Sequence, residues 1–516
     1  MALKRVEDRP TPREVYNWRP YLLAFIAGWG GVLFGYDSAF IGGTIELPAF
    51  QAQFGLDKLS EDELAFTSSN ILSTYQAGCF FGCILAFFVV EVLGRRVTLQ
   101  CASALFCLGA GLMLGAKHSL GLFYGGRIIG GLGVGGVSLA TPLYIAEIAP
   151  PSIRGQLVGF YEIFLQAGGV VGFWINFGIS EHIPYGSKQW HIPVAVQLIP
   201  GGLLLAALAV SSEANEIQGI RAQFERETPP NPRRNEGFMA QLKELGRSGI
   251  RNRLGIGMCI MMCQNLTGTN AINVRRSSIQ VRELCNKLLF QYYSPTIFSS
   301  IGITGTSNSL FATGIYGVVK MVATLIALIW LVDRVGRRKL LIAGAIVGAL
   351  AMYYIAGFVA VAKPSGTGSP TPAGKFAAAC IYIFAIAFCM SWNGISWVIC
   401  SEIVPLSVRA LGQTITSATQ WLWQFVVARS TPYMIKNIGY GTYLLFGSCM
   451  ILMIPWVYFI LPESKFARAR QSYGADSTIA KGIPLEDMDR LFDYFPHRGN
   501  ALIEDGVIKN EIEGRS

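Results

Sequence analysis

One motif occurs twice, about half a chain apart: Glu91-Val-Leu-Gly-Arg95-Arg96 and Asp333-Arg-Val-Gly-Arg337-Arg338. Each copy follows one long apolar run and precedes another, so each reads as a tight basic loop between two membrane helices. A second pair repeats in the same halves, Glu147 with Arg154 in AEIAPPSIRG and Glu402 with Arg409 in SEIVPLSVRA. A chain built twice over, with short basic loops on one side of a bilayer, is restricted to two repeated helical bundles.

The apolar runs support this. They lie at roughly 20–41, 68–90, 97–116, 122–146, 155–179 and 190–210, then 254–273 running on into 292–302, 309–332, 339–361, 376–402, 409–434 and 440–461. The expected fold is all-α, twelve transmembrane helices in two six-helix bundles. The expected organisation is an N-terminus over 1–19, a first bundle over 20–210, a polar linker over 211–252, a second bundle over 253–461 and a polar tail over 462–516. A residue set that is 52% hydrophobic and only 14% charged excludes an ordinary soluble domain. The net charge of +10 sits in alternate short loops and in 221–253, whereas 42–66 holds one lysine against five acids. The positive-inside rule then places the basic loops and both termini in the cytoplasm. Loop-confined charge argues against nucleic-acid binding.

Met1 to Arg19 has no apolar core, so no cleaved leader is expected. The 11 cysteines are scattered, with no C-x-x-C, and predict neither disulfides nor a metal site. Residues 131–136 spell G-x-G-x-x-G, but within an apolar helix and without a preceding strand; close helix packing is expected, not dinucleotide binding. No catalytic constellation or cofactor motif is present, so an enzyme is not expected.

Ionisable side chains inside membrane helices are functional candidates by default, because each costs roughly 2.5–3.5 kcal/mol or more at the bilayer centre. Asp37 and Arg127 stand out. Buried together they neutralise one another, and a proton on Asp37 would release Arg127. Arg429, on the helix predicted over 409–434, is a candidate for recruiting an anion, or an interfacial side chain that snorkels.

The segments LFGYDSAFIGG (33–43), GRIIGGLGVGG (126–136), PLYIAEIAPPSIRG (142–155), QNLTGTNAIN (264–273), VDRVGRRKLL (332–341) and SWVICSEIVP (396–405) resemble the sugar porter family of the major facilitator superfamily. EDRPTPREVYNWRPY (7–21) and YDSAFIGGT (36–44) resemble its fungal branch of quinate permeases and sugar-acid carriers. The resemblance implies uptake of a small polyhydroxylated ring compound across the plasma membrane. Quinate or a related sugar acid leads, and a neutral hexose or pentose is the alternative. The implied partners are that substrate, protons and the lipid bilayer, and the proton gradient stands in place of a cofactor. A non-transporting nutrient sensor is the reading from another class.

By the same resemblance, Asp37 and Arg127 form the proton-coupling pair. Gln264, Asn270, Trp397, Gln420 and Trp421 fall on sugar-binding positions, joined by Asn265, which replaces a glutamine, and by Tyr292. Amides offer donors and acceptors to vicinal hydroxyls, and indoles cover a ring's apolar face. Glu162 stands where glutamine is common; a carboxylate beside an acidic substrate is unfavourable unless a proton or a cation intervenes, so glutamine there is expected to favour neutral sugars. Glu91, Arg95, Arg96, Glu147, Arg154, Asp333, Arg337, Arg338, Glu402 and Arg409 are expected to be gating residues that pair across the bundles in the outward-open state.

Three places depart from the family. The Pro-Glu-Ser-Pro-Arg motif after the sixth helix is missing. Val274–Gln291 interrupts the seventh helix, and Ser464 to Ala480 interrupts a Pro-Glu-Thr-Lys-Gly motif. Valine codons begin GT and glutamine can be CAG, so 274–291 reads as a retained intron, with a genuine loop insertion as the alternative. Ser464-Lys465 likewise accommodates a splice donor, and splicing into Ala480 would restore the threonine.

Overall fold

The structure, a computed structural model, describes residues 18–148, 154–210, 238–268, 307–362, 372–405 and 408–461. Among these residues the chain is helical almost throughout, in twelve long stretches. The first half comprises α1 (Arg19–Ile45), the short α2 (Pro48–Gln53), α3 (Glu61–Leu93), α4 (Arg95–Leu114), α5 (Leu120–Ile148), α6 (Arg154–His182), and α7 (Lys188–Val196) continuing into α8 (Leu198–Val210). The second comprises α9 (Phe238–Leu245), α10 (Ser248–Leu266), α11 (Ser307–Ile326), α12 (Val332–Val335), α13 (Arg337–Ala362), α14 (Pro372–Phe388), α15 (Gly394–Ile403), α16 (Arg409–Ile438) and α17 (Gly441–Ile460). Two wide π-helical turns, Ala327–Leu331 and Cys389–Asn393, join α11 to α12 and α14 to α15 without breaking either helix.

Ten of these stretches are long and apolar enough to span a bilayer. The helix α16 is not among them, because it carries Gln413, Thr414, Thr416, Ser417 and Gln420. Those side chains are buried, and α16 packs on α3 and α10 between the two halves, so its polar face meets protein and not lipid.

Glycine sets how closely the first half packs. A side chain on Gly131, Gly133 or Gly135 would run into the backbone of Tyr75, Ala102 or Cys79, so the G-x-G-x-x-G run is a helix-packing surface for α3 and α4. The basic loops turn on Gly94 (φ 84°) and Gly336 (φ 93°), which only glycine adopts readily. At the opposite face Ser60 caps α3 in a capping box, and its hydrogen bonds hold the Glu63 carboxyl below the ordinary carboxylate range.

Two boundaries differ from expectation. The seventh long helix ends at Leu266 and is followed by a left-handed Gly268 (φ 84°); the rest of the run expected to 273 lies outside the described residues. It also begins earlier, at Ser248, and a further helix, α9, lies within the stretch read as a polar linker. Phe238 of α9 packs against Phe87 and Phe88, and Gln241 donates to Glu91 at 3.1 Å. Amphipathic spacing of Phe238, Leu242 and Leu245 was the available signal.

Candidate functional site

Asp37 of α1 and Arg127 of α5 meet inside the first half, 2.8 Å apart, each only 1% exposed. Tyr75 of α3 lies 4.3 Å under the guanidinium, adding a cation–π contact. All three belong to the first bundle, so the pair is closed without any contribution from the second half.

A second polar set crosses between the halves. Glu162 of α6 accepts a hydrogen bond through Oε1 from Gln166 at 3.0 Å and another from the Asn393 amide, at the end of the second π turn. The Asn393 carbonyl accepts from Gln264 of α10 at 3.1 Å. The adjacent Asn265 donates to Oε1 of Gln420, on α16, at 2.7 Å. One chain of amides and a carboxylate therefore runs through α6, α10, the π turn and α16. Trp397 of α15 stands edge-on to Tyr161, one residue before Glu162, with ring centroids 6.5 Å apart.

Several buried polar atoms in this set have no hydrogen-bond partner among the described residues: Glu162 Oε2, Gln264 Oε1 and the Tyr161 hydroxyl. An unmet buried polar group costs about 1–3 kcal/mol, and a polyhydroxylated ligand offers the matching donors and acceptors. Trp421 differs: its indole N–H donates to Ser138 of α5 at 3.1 Å, and its ring lies against Phe34 and Tyr75. In this conformation it plugs the junction of the halves.

Glu162, Gln264, Asn265, Trp397, Gln420 and Trp421 thus lie in one inter-bundle region. Asn270 and Tyr292 lie outside the described residues, as do the segments 274–291 and 464–480. Gln166, Asn393 and Tyr161 were not anticipated, since a lone amide or phenol in an apolar helix carries no distinguishing pattern. Lys320 of α11 was missed despite a clear signal: it is the only charged residue between Thr313 and Leu331.

The expected gating charges were read as pairing across the bundles. The contacts found for several of them stay within one bundle. Arg95 pairs with Glu147 at 2.8 Å, and Arg96 donates to the Leu208 carbonyl at 2.6 Å. Arg338 donates to the Tyr458 carbonyl and covers its ring. Each basic loop thereby ties the end of its own neighbouring helix, which short loop geometry favours over a reach across the boundary. Arg409 is buried at 6% exposure. The side chains of Arg154, Asp333 and Glu402 lie outside the described residues. Arg429 does cross: it donates to Asn70 of α3 and lies 4.6 Å above Phe66. It binds α16 to α3 at the face opposite the basic loops, so as placed it is neither free in solvent nor snorkelled into lipid. Among the described residues no group of three or more His, Cys, Asp or Glu converges as a metal site.

Residues 23–471 match the family model described as "Sugar (and other) transporter". This chain belongs to the sugar transporter family. Among its relatives, a probable quinate permease of Aspergillus terreus is 43% identical over 528 residues, covering 96% of this chain and 91% of that protein. The quinate permease of Emericella nidulans is 41% identical over 539 residues, covering 98% and 94%. Among solved structures, the major facilitator proton:xylose symporter XylE bound to 6-bromo-6-deoxy-D-glucose superimposes with a TM-score of 0.70 at 26% identity, covering 92% of this chain and 99% of that one. An inward-open XylE from E. coli gives 0.64 at 26% identity, again over 92% and 99%. This sugar transporter is accordingly a multi-pass membrane protein of the twelve-helix major facilitator architecture and not an enzyme.

Proposed function

We propose that this transporter takes up quinate or a closely related sugar acid across the plasma membrane, with protons, by alternating access. The observation that carries this reading is the polar chain Gln166–Glu162–Asn393–Gln264, continued by Asn265–Gln420, which joins the two halves through groups suited to ring hydroxyls. The names of the relatives, quinate permeases at 41–43% identity, support the acid substrate. The name of the solved neighbour, a proton:xylose symporter, supports proton coupling. Asp37–Arg127 is the element through which a proton acts: protonating Asp37 dissolves the pair and frees Arg127, a change confined to the first bundle. The basic loops face the cytoplasm under the positive-inside rule, with both termini on that side. Arg429 and Asn70 then close the outer end, and the loop arginines stiffen the inner one.

The test is uptake of radiolabelled quinate, galacturonate and glucose by a transporter-deficient host, with and without a protonophore. Quinate or galacturonate accumulation that the protonophore abolishes supports the proposal. Glucose or pentose uptake alone would establish the neutral-sugar alternative, and surface delivery with no uptake of any probe would favour a sensor. A second form lacking Val274–Gln291 belongs in the same assay, beside the transcript sequence across this region. Full activity of the long form from a transcript retaining those codons would overturn the intron reading.

A further inference from the structure

We infer that Lys320 is the receptor for the substrate's carboxylate, an assignment that rests on the sugar-acid reading above. Lys320 is the one charged residue of the span Thr313–Leu331 and is half-buried there. Its depth follows from the crossing of α11 with α6. Leu328 lies against Gly159, whereas Gly317 meets Phe173 and Gly314 meets Trp174. Interpolated between these contacts, Lys320 falls near the level of Gln166 and Gly168, between one and two helical turns from Glu162. That gap is within reach of a lysine stem.

The direction of the side chain is given by its neighbours. The ammonium lies 5.7 Å from the ring of Tyr316, a residue only 3% exposed. It interacts electrostatically with the Glu162 carboxylate and with Cys389 of the π turn. Tyr316 and Cys389 are buried in the core of the second bundle and Glu162 lies at its boundary with the first, so the ammonium faces protein and not lipid. Yet among the described residues Lys320 forms no ion pair: its charge is held near Glu162 without being latched to it. On the other side, Glu162 uses Oε1 for two amide donors, and its buried Oε2 accepts nothing from the described residues.

This arrangement suits a polyhydroxylated monocarboxylate better than a neutral sugar. Gln166 and Asn393 each spend one amide N–H on Glu162 Oε1, while Glu162 Oε2 and Gln264 Oε1 remain to accept from hydroxyls of the ligand. A carboxylate needs a cation with free N–H donors, and Lys320 supplies up to three. Glu162 offsets the lysine's charge while the site is empty, so the cation can be held in the membrane interior without a ligand.

The experiment uses the full chain in a transporter-deficient host, with quinate, quinate methyl ester and glucose as probes. Wild type should prefer quinate over its ester by about tenfold or more. In Lys320→Gln, the KM for quinate should rise about 10- to 100-fold while inhibition by the ester stays within about twofold, so discrimination collapses. Lys320→Arg should restore part of it. Quinate uptake by Lys320→Gln with a wild-type KM would overturn the assignment and leave the sugar-acid reading standing. Should Lys320→Gln fail to reach the surface, the wild-type comparison decides: equal recognition of quinate and ester overturns the assignment. Uptake of glucose but of no acid by wild type would instead remove the sugar-acid reading, and the receptor with it.

Discussion

Asp37 and Arg127 are sealed within one bundle, in contact at 2.8 Å and each 1% exposed, whereas Glu162 and Lys320 stand on opposite sides of the boundary between the bundles and do not touch. The first pair is joined directly through Asp37 Oδ1, although Asp37 Oδ2 and Arg127 Nε, both buried, find no hydrogen-bond partner among the described residues. The second likewise leaves Glu162 Oε2 without a hydrogen-bond partner among the described residues, and its two charges form no ion pair there. A closed pair can be switched only by something as small as a proton, because nothing larger fits between groups already in contact. An open pair, on the assignment proposed for Lys320, is completed by a ligand that brings both a hydroxyl and a carboxylate. On the proposed function, the difference separates proton coupling from substrate recognition without requiring a different fold for each.

The most forceful way to break this contrast is Asp37→Asn. Removing one partner of a buried pair strands the other at about 3–5 kcal/mol, so some loss of delivered protein is expected. In the protein that is delivered, the accumulation ratio should fall to about one, since no proton-sensitive element remains, while exchange of labelled for unlabelled quinate persists. Unchanged accumulation and unchanged response to external pH would remove Asp37 from coupling. Next comes Asn393→Ala, which strips Glu162 of its amide donor from the second bundle while leaving the backbone carbonyl that accepts from Gln264. The loss of a hydrogen bond to a charged group, about 1.5–3 kcal/mol, should raise the quinate KM by roughly tenfold or more, with the protonophore response intact. An equal loss of proton coupling would show that the two pairs do not act separately.

Glu162→Gln has a smaller effect and a more telling sign. Read from sequence alone, it should favour neutral sugars. With Lys320 placed nearby, removing the carboxylate leaves the ammonium less compensated, so quinate should bind several-fold more tightly and glucose should be little altered. Competition of quinate against glucose measures it, and a shift toward glucose would argue against Lys320 as the receptor. The mildest expected change is in Arg429→Gln, which loosens the tie from α16 to Asn70 and Phe66 but touches neither pair. Labelling of a cysteine introduced near that face should quicken by a few-fold, with substrate preference unchanged.

Much of this molecule was readable before any coordinates. The duplicated loops fixed the halves, because tight basic turns between apolar runs have few alternatives in a bilayer. Asp37 and Arg127 were found because charge in an apolar helix is expensive. Lys320 met the same criterion and was overlooked, since it belongs to no motif and its run is otherwise uniformly apolar. Asn393 and Gln166 had no signal at all: an amide is polar enough to matter and common enough to be ignored, and only the packing of α6 against the π turn gives it meaning. The partners of the loop arginines were equally hidden, because a carbonyl such as that of Leu208 has no signature in its residue type.

The wide turn at Cys389–Asn393 has a consequence for how such a carrier can change. A helix that takes in an extra residue without unwinding rotates everything beyond it by about 100°. Asn393 and Trp397 both owe their bearing to that offset. Loss of a single codon there would leave a helix of nearly the same length, hydropathy and insertion, yet swing Trp397 away from Tyr161. Specificity in this region is therefore written in the count of residues as well as in their identity, and a change in count is one that inspection of side chains alone would pass over.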